Sequence, residues 1–163
     1  MEKRRLGKAI WRCAFVAIAS FAQAQSANTH VIGGKSGRER LVGAWHLERI
    51  EMAGADGKPM DIPQPKGMLI YTRDGHMSVQ LMYPKSANAQ SNEYVKDGYE
   101  ASFGSYDVDE ATGTVTHHVD GSVTGGLLIG KDLPRLYRFT RDGQLIIKSA
   151  RPEEHWSVTW KHY

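Results

Sequence analysis

The chain has 163 residues, 21 Lys and Arg against 18 Asp and Glu, and a single cysteine, Cys13. The net charge of +3 does not describe its body: five of the basic residues and one acid lie in residues 1–24, and the rest carries 16 against 17. A near-neutral body without cysteine has no electrostatic footprint for nucleic acid or an anionic membrane surface, and it excludes disulfide and thiol chemistry.

The first segment reads as a signal peptide. "MEKRRLGK" is a basic n-region, "AIWRCAFVAIASFA" an apolar run interrupted by Arg12, and "AQA" (Ala22 to Ala24) a small-x-small cleavage site before Gln25. The run is too short to span a bilayer. Export to the periplasm or the medium is therefore expected, with no integral membrane segment after cleavage. The Arg4-Arg5 pair lacks the flanks that would choose a twin-arginine route. Residues 25–39 are polar and glycine-rich and are expected to form a flexible tether before a single domain, 40–163.

That domain reads as all-β. Apolar runs alternate with the turn pairs Asp56-Gly57, Asp74-Gly75, Thr112-Gly113 and Asp142-Gly143, a hairpin signal because glycine supplies positive φ at little cost. Eight strands are predicted, near 41–52, 67–72, 76–83, 103–109, 114–123, 134–140, 144–150 and 155–162. Hairpin-linked short strands in this number suggest an antiparallel up-and-down barrel or a sandwich. Two connections are longer, 53–66 and 84–102. In the second, Val95, Tyr99 and Phe103 stand four apart, which predicts one short helix between strands 3 and 4. Such loops act either as lids or as plain cover for a sheet edge.

Period-two alternation assigns faces. In "HMSVQLMY" Met77, Val79, Leu81 and Tyr83 share one side. In "TVTHHVDGSV" Val115, His117, Val119 and Val123 share one side, with His118 on the other among Thr and Asp. Neighbouring strand residues point to opposite faces, so His117 and His118 cannot both ligate one metal, and the remaining histidines are scattered. No metal site is expected. Gly-x-Ser-x-Gly, the P-loop and the dinucleotide glycine pattern are absent.

At "LVGAWHLERIEM" the residues reach a family. Gly43-Ala44-Trp45, followed by "PKGMLIYTRDGHMSVQLM" and "FGSYDVDEATGTVTHHVDGS", resembles the short lipocalin-like domains of bacterial and fungal proteins over about residues 40–163. The resemblance implies an eight-stranded calycin-type barrel with an internal cavity and carries no agreed catalytic motif. In lipocalins a terminal arginine packs on the first-strand tryptophan. Here Lys161 follows Trp160, and it lacks the planar group for stacking.

Gly43, Trp45, Trp156 and Trp160 are expected to be structural, since aromatics bury large areas in small cores. The ligand wall is expected to be Tyr71, Met77, Val79, Leu81, Tyr106, His117, Val119 and Tyr137. No cofactor is implied; heme ligation by His117 is the alternative. The expected function is capture of a small apolar or amphipathic ligand. Two alternatives stand beside it: a cyclase or isomerase using His117 and a cavity tyrosine as acid and base, and a barrel that presents its long loops to a partner protein. Nothing in the chain fixes the oligomeric state.

Overall fold

A computed structural model describes residues 34–54, 56–84 and 91–163. The expected signal segment and its cleavage site lie outside the described residues. The strands run β1 (Gly43–Ala53), β2 (Pro59–Met60), β3 (Lys66–Tyr71), β4 (His76–Met82), β5 (Tyr99–Asp109), β6 (Thr114–Ser122), β7 (Asp132–Phe139), β8 (Leu145–Ser149) and β9 (Trp156–His162). Each pairs antiparallel with the next from β3 to β9, and β1 pairs with both β3 and β9. The sheet therefore closes on itself, which removes its free edges. Eight strands enclose an interior just wide enough for side chains or one small ligand. The ninth, β2, is a two-residue ladder on the long end of β1.

Alternation along the strands fills that interior. Trp45, Leu69, Tyr71, Met77, Tyr106, Val115, Leu145 and Trp160 are all buried in one continuous core. Two bulges reset the pattern. One lies between Leu47 and Arg49 of β1. The other leaves Asp120 of β6 unpaired, since Phe103 faces Gly121 while Gly104 faces Val119. Past this second bulge the parity slips, so Val123, expected inside, is exposed.

The helix is not where the spacing placed it. Among the described residues the α-helix is α1 (Gly37–Leu41), before β1. Tyr99 and Phe103 belong to β5 and point outward, both about half exposed. A separation of four satisfies a strand's period of two as well as a helical turn. Part of the 84–102 connection, residues 85–90, lies outside the described residues.

Ser36 caps α1 through a capping box with Glu39, so residues expected in the tether are ordered from here. The helix closes one end of the barrel. Leu41 is fully buried and its carbonyl accepts a 2.8 Å hydrogen bond from Trp45 Nε1. Arg40 lies 3.8 Å over the Phe139 ring, and Arg38 covers Tyr106. Lys161 is exposed and takes no part. The residue on Trp45 is His162, edge-on at 4.6 Å between ring centroids. The barrel bottom is thus sealed by His162 and by arginines from α1 in place of a terminal arginine. Gly43 permits this: its φ is +143°, and a Cβ there would run into the His162 ring.

Candidate functional site

Toward the other end the barrel holds a cavity of about 160 Å³. Leu69 of β3, Val79 and Leu81 of β4, Ile147 of β8 and Val158 and Trp160 of β9 form its apolar wall. Tyr94 and Val95, from the connection before β5, reach its mouth. Polar side chains also face it: Asn92 before β5, Glu100 and Ser102 of β5, His117 of β6 and Arg135 of β7. A cavity with a mostly apolar wall and a few polar groups is the usual form of a small-molecule site.

Of the eight residues expected to form the wall, Val79, Leu81 and His117 line this cavity. Tyr71, Met77 and Tyr106 lie in the packed core towards the closed end. Tyr106 donates its hydroxyl to the Thr72 carbonyl at 2.8 Å. Tyr137 is half-buried beside Gly37 of α1 and stacks edge-on with Phe139. Val119 joins Leu128 and Leu133 in a smaller cluster that Tyr94 packs against. The large rings predicted for the wall therefore fill the base, and smaller side chains leave the space above it. Of the tryptophans expected to be structural, Trp45 plugs the base, while Trp156 and Trp160 line the cavity.

His117 and His118 do point to opposite sides. His117 is buried, and its Nε2 is hydrogen-bonded to Tyr71 Oη at 2.7 Å. Burial, with the nearby Arg135 and His118 charges, holds its pKa down to about 3, so the ring is neutral near neutral pH. Burial also raises the Tyr71 hydroxyl, which stays protonated. The pair is a neutral hydrogen bond between two core rings. His118 lies on the outer face between Asp132, 2.7 Å from Nδ1, and Asp107, 3.1 Å from Nε2. Among the described residues no group of three or more His, Cys, Asp or Glu could hold a metal ion.

A closed antiparallel barrel, a tryptophan plug at one end and a cavity at the other is the architecture that the sequence resemblance implied. The family model for the lipocalin-like domain matches residues 42–162, all but the N-terminal segment and the last residue. The chain belongs to the lipocalin-like domain family. No curated protein matches it. The lipocalin-like barrel suits small-ligand binding in general, because its one interior serves as both core and pocket. Among the described residues no helix is long and apolar enough to cross a membrane.

The residue that sequence reading missed is Arg135. It is 4% exposed, on the inner face of β7 between Leu133 and Tyr137. Its guanidinium lies against two rings, 4.9 Å from the centroid of Trp156 and 5.3 Å from that of Tyr94. Glu154, from the turn before β9, stands 3.7 Å from its Nη1. Glu154 is itself held by Tyr94 Oη and Arg151 Nη1, both at 2.9 Å, and by Trp156 Nε1 at 3.0 Å. Arg151 also reaches Glu93 at 2.8 Å. These bonds strap the segment carrying Glu93 and Tyr94 to the turn before β9, across the cavity mouth. Glu100 was missed too. Burial pushes its carboxyl up to about 7 against the pull of Arg135, so it is partly neutral at physiological pH.

Proposed function

We propose that this protein is an exported carrier that holds one small apolar or amphipathic molecule in the open half of its barrel. The cavity carries this reading: about 160 Å³ with a wall of Leu, Val, Ile and Trp. A dry cavity near 150 Å³ suffices for a molecule the size of benzene, so the occupant is a one-ring compound or a short chain. A ligand that buries ~200 Å² of apolar surface gains roughly 5 kcal/mol before ordering costs. The engagement of His117 with Tyr71 favours binding over proton transfer. The basic n-region, apolar run and "AQA" motif support export to the periplasm or the medium, with Gln25 as the first mature residue.

The test is a titration of one-ring apolar compounds followed by the indole N–H resonances of Trp45, Trp156 and Trp160. Saturable shifts of Trp156 and Trp160 with a still Trp45 are expected, lost in the cavity-filling variant Val79→Phe. No shift with any compound, or equal shifts of all three, would count against the reading. A mass of the exported protein that begins elsewhere than near Gln25 would refute the cleavage assignment.

A further inference from the structure

Hydrogen bonding at Arg135 does not close on the protein's own groups. A guanidinium offers five N–H donors. Among the described residues its Nη1 reaches Ser149 Oγ at a long 3.4 Å and the Tyr94 hydroxyl is a second partner, which leaves most of the fork unused. Its nearest carboxylate, Glu154, is within ion-pair range at 3.7 Å but beyond hydrogen-bond reach. Glu154 is turned to other donors, its Oε1 accepting from Tyr94 and Arg151 and its Oε2 from Trp156. Arg151 supplies the direct charge partner for Glu154 and Glu93. Glu100, the other carboxyl on the cavity, is partly neutral and is no permanent counter-ion.

Arg135 is also held in place by contacts that leave most of its donors free. Tyr94 and Trp156 lie against the guanidinium, and contact with an aromatic ring leaves the N–H fork free for a planar acceptor. Trp160, which lines the same cavity, carries a second such donor: among the described residues its buried Nε1 has no hydrogen-bond partner. Buried donors in folded proteins are normally paired. Two residues of one small apolar cavity, Arg135 and Trp160, thus carry donors without a full set of acceptors, which favours a ligand that brings oxygen acceptors with it.

Resting on the binding reading above, we propose that the ligand is a small organic acid whose carboxylate docks on the Arg135 guanidinium while its ring or short chain lies among Leu69, Val79, Leu81 and Val158. A singly charged carboxylate fits better than a phosphate, because the site offers one guanidinium, already within ion-pair range of Glu154, and little room.

The experiment compares acids with their uncharged isosteres. Benzoate, phenylacetate and hexanoate are titrated calorimetrically into the protein beside benzamide, phenylacetamide and hexanamide. We expect at least one acid to bind about tenfold or more tightly than its amide, since charge-assisted bidentate bonds are about twice as strong as neutral ones. The preference should vanish in Arg135→Met and shrink several-fold in Arg135→Lys, which keeps the charge without the planar fork. Acids and amides binding equally, and both blocked by Val79→Phe, would leave cavity binding standing and overturn the acid assignment. A preference that survives Arg135→Met would overturn it too. Binding of none of the six would overturn the cavity reading and the assignment together. Should Arg135→Met fail to fold, the comparison in the unaltered protein and in Arg135→Lys still decides.

Discussion

Tyr71 Oη and His117 Nε2 sit 2.7 Å apart in the barrel core, joining β3 to β6 across the interior. The two strands are not neighbours in the sheet. The bond ties opposite walls at the floor of the cavity, and both partners lose water to make it. Removing one leaves the other buried and unpaired, which costs about 1–3 kcal/mol. We expect Tyr71→Phe to destabilise by that amount in urea unfolding. The double variant Tyr71→Phe/His117→Leu should recover part of the loss, because no polar group is then stranded. Single and double variants that all match the original protein would show that the bond contributes nothing.

His117 faces the cavity and His118 the solvent, so the two should separate in binding. His117→Ala should weaken retention of any cavity ligand by a larger factor than His118→Ala, read by calorimetry. Equal effects would contradict the face assignment.

The pH dependence of stability should reflect two opposed groups. His117 is held at about 3 against an ordinary 6.5, by burial first and by neighbouring charge second. Between those values the unfolded chain binds the extra proton, so stability falls as pH drops through that window, by at most about 1.4 kcal/mol per unit. Glu100 is raised by burial from 4.5 to about 7. Its stabilisation is present below 4.5 and lost as pH rises through 7, because here the folded state binds the extra proton. The two should nearly cancel from 4.5 to 6.5, with steep loss below that. Glu100→Gln should decline continuously from 6.5 downward, and His117→Gln should gain stability on acidification to 4.5. Unfolding midpoints across the pH series check this, and identical profiles for both variants would contradict it.

His118 shows the surface version of the same linkage. Its pKa is raised, mainly by the hydrogen bond to Asp132, against an opposing effect of burial, and further by Asp107. The stabilisation is complete below 6.5 and is lost as pH rises through the raised value. Its partners are exposed, so the effect should be about 0.2–1 kcal/mol and should fade with salt. The difference in unfolding free energy between the original protein and His118→Ala, measured at pH 6 and pH 9, should shrink at the higher pH. A constant difference would argue against the ion pairs.

At the base, Gly43→Ala meets two obstacles, a positive φ and the His162 ring. We expect a loss of about 1–3 kcal/mol, partly restored by His162→Ala on the same chain. Strict additivity of the two changes would mean that the close approach is not the cause.

The strands were legible because a closed barrel with one buried face obeys strict alternation, and the Asp-Gly turns mark its corners. All eight predicted strands recur within a few residues, and among the described residues the structure adds only β2, too short to leave a pattern. The start of β5 was hidden because Val95, Tyr99 and Phe103 fit two periods at once. The site was less legible. Tyr137 was placed inward, and the same alternation puts Arg135, two residues earlier, on the same side. A charged residue conflicts with an apolar interior, and the surrounding Tyr94, Trp156, Glu154 and Ser149 make that position tolerable. Those partners come from distant parts of the chain, which no local pattern could bring together. The tyrosines misled for the opposite reason: their size suits a cavity wall, but large rings near the closed end fill space rather than border it.

Whether the barrel carries a small molecule is tested by native mass spectrometry of the protein purified from its own source, followed by denaturing extraction. We expect one small organic molecule per chain, lost in the Val79→Phe variant. A bare protein mass that stays unchanged after incubation with the one-ring and short-chain acids and amides would contradict it.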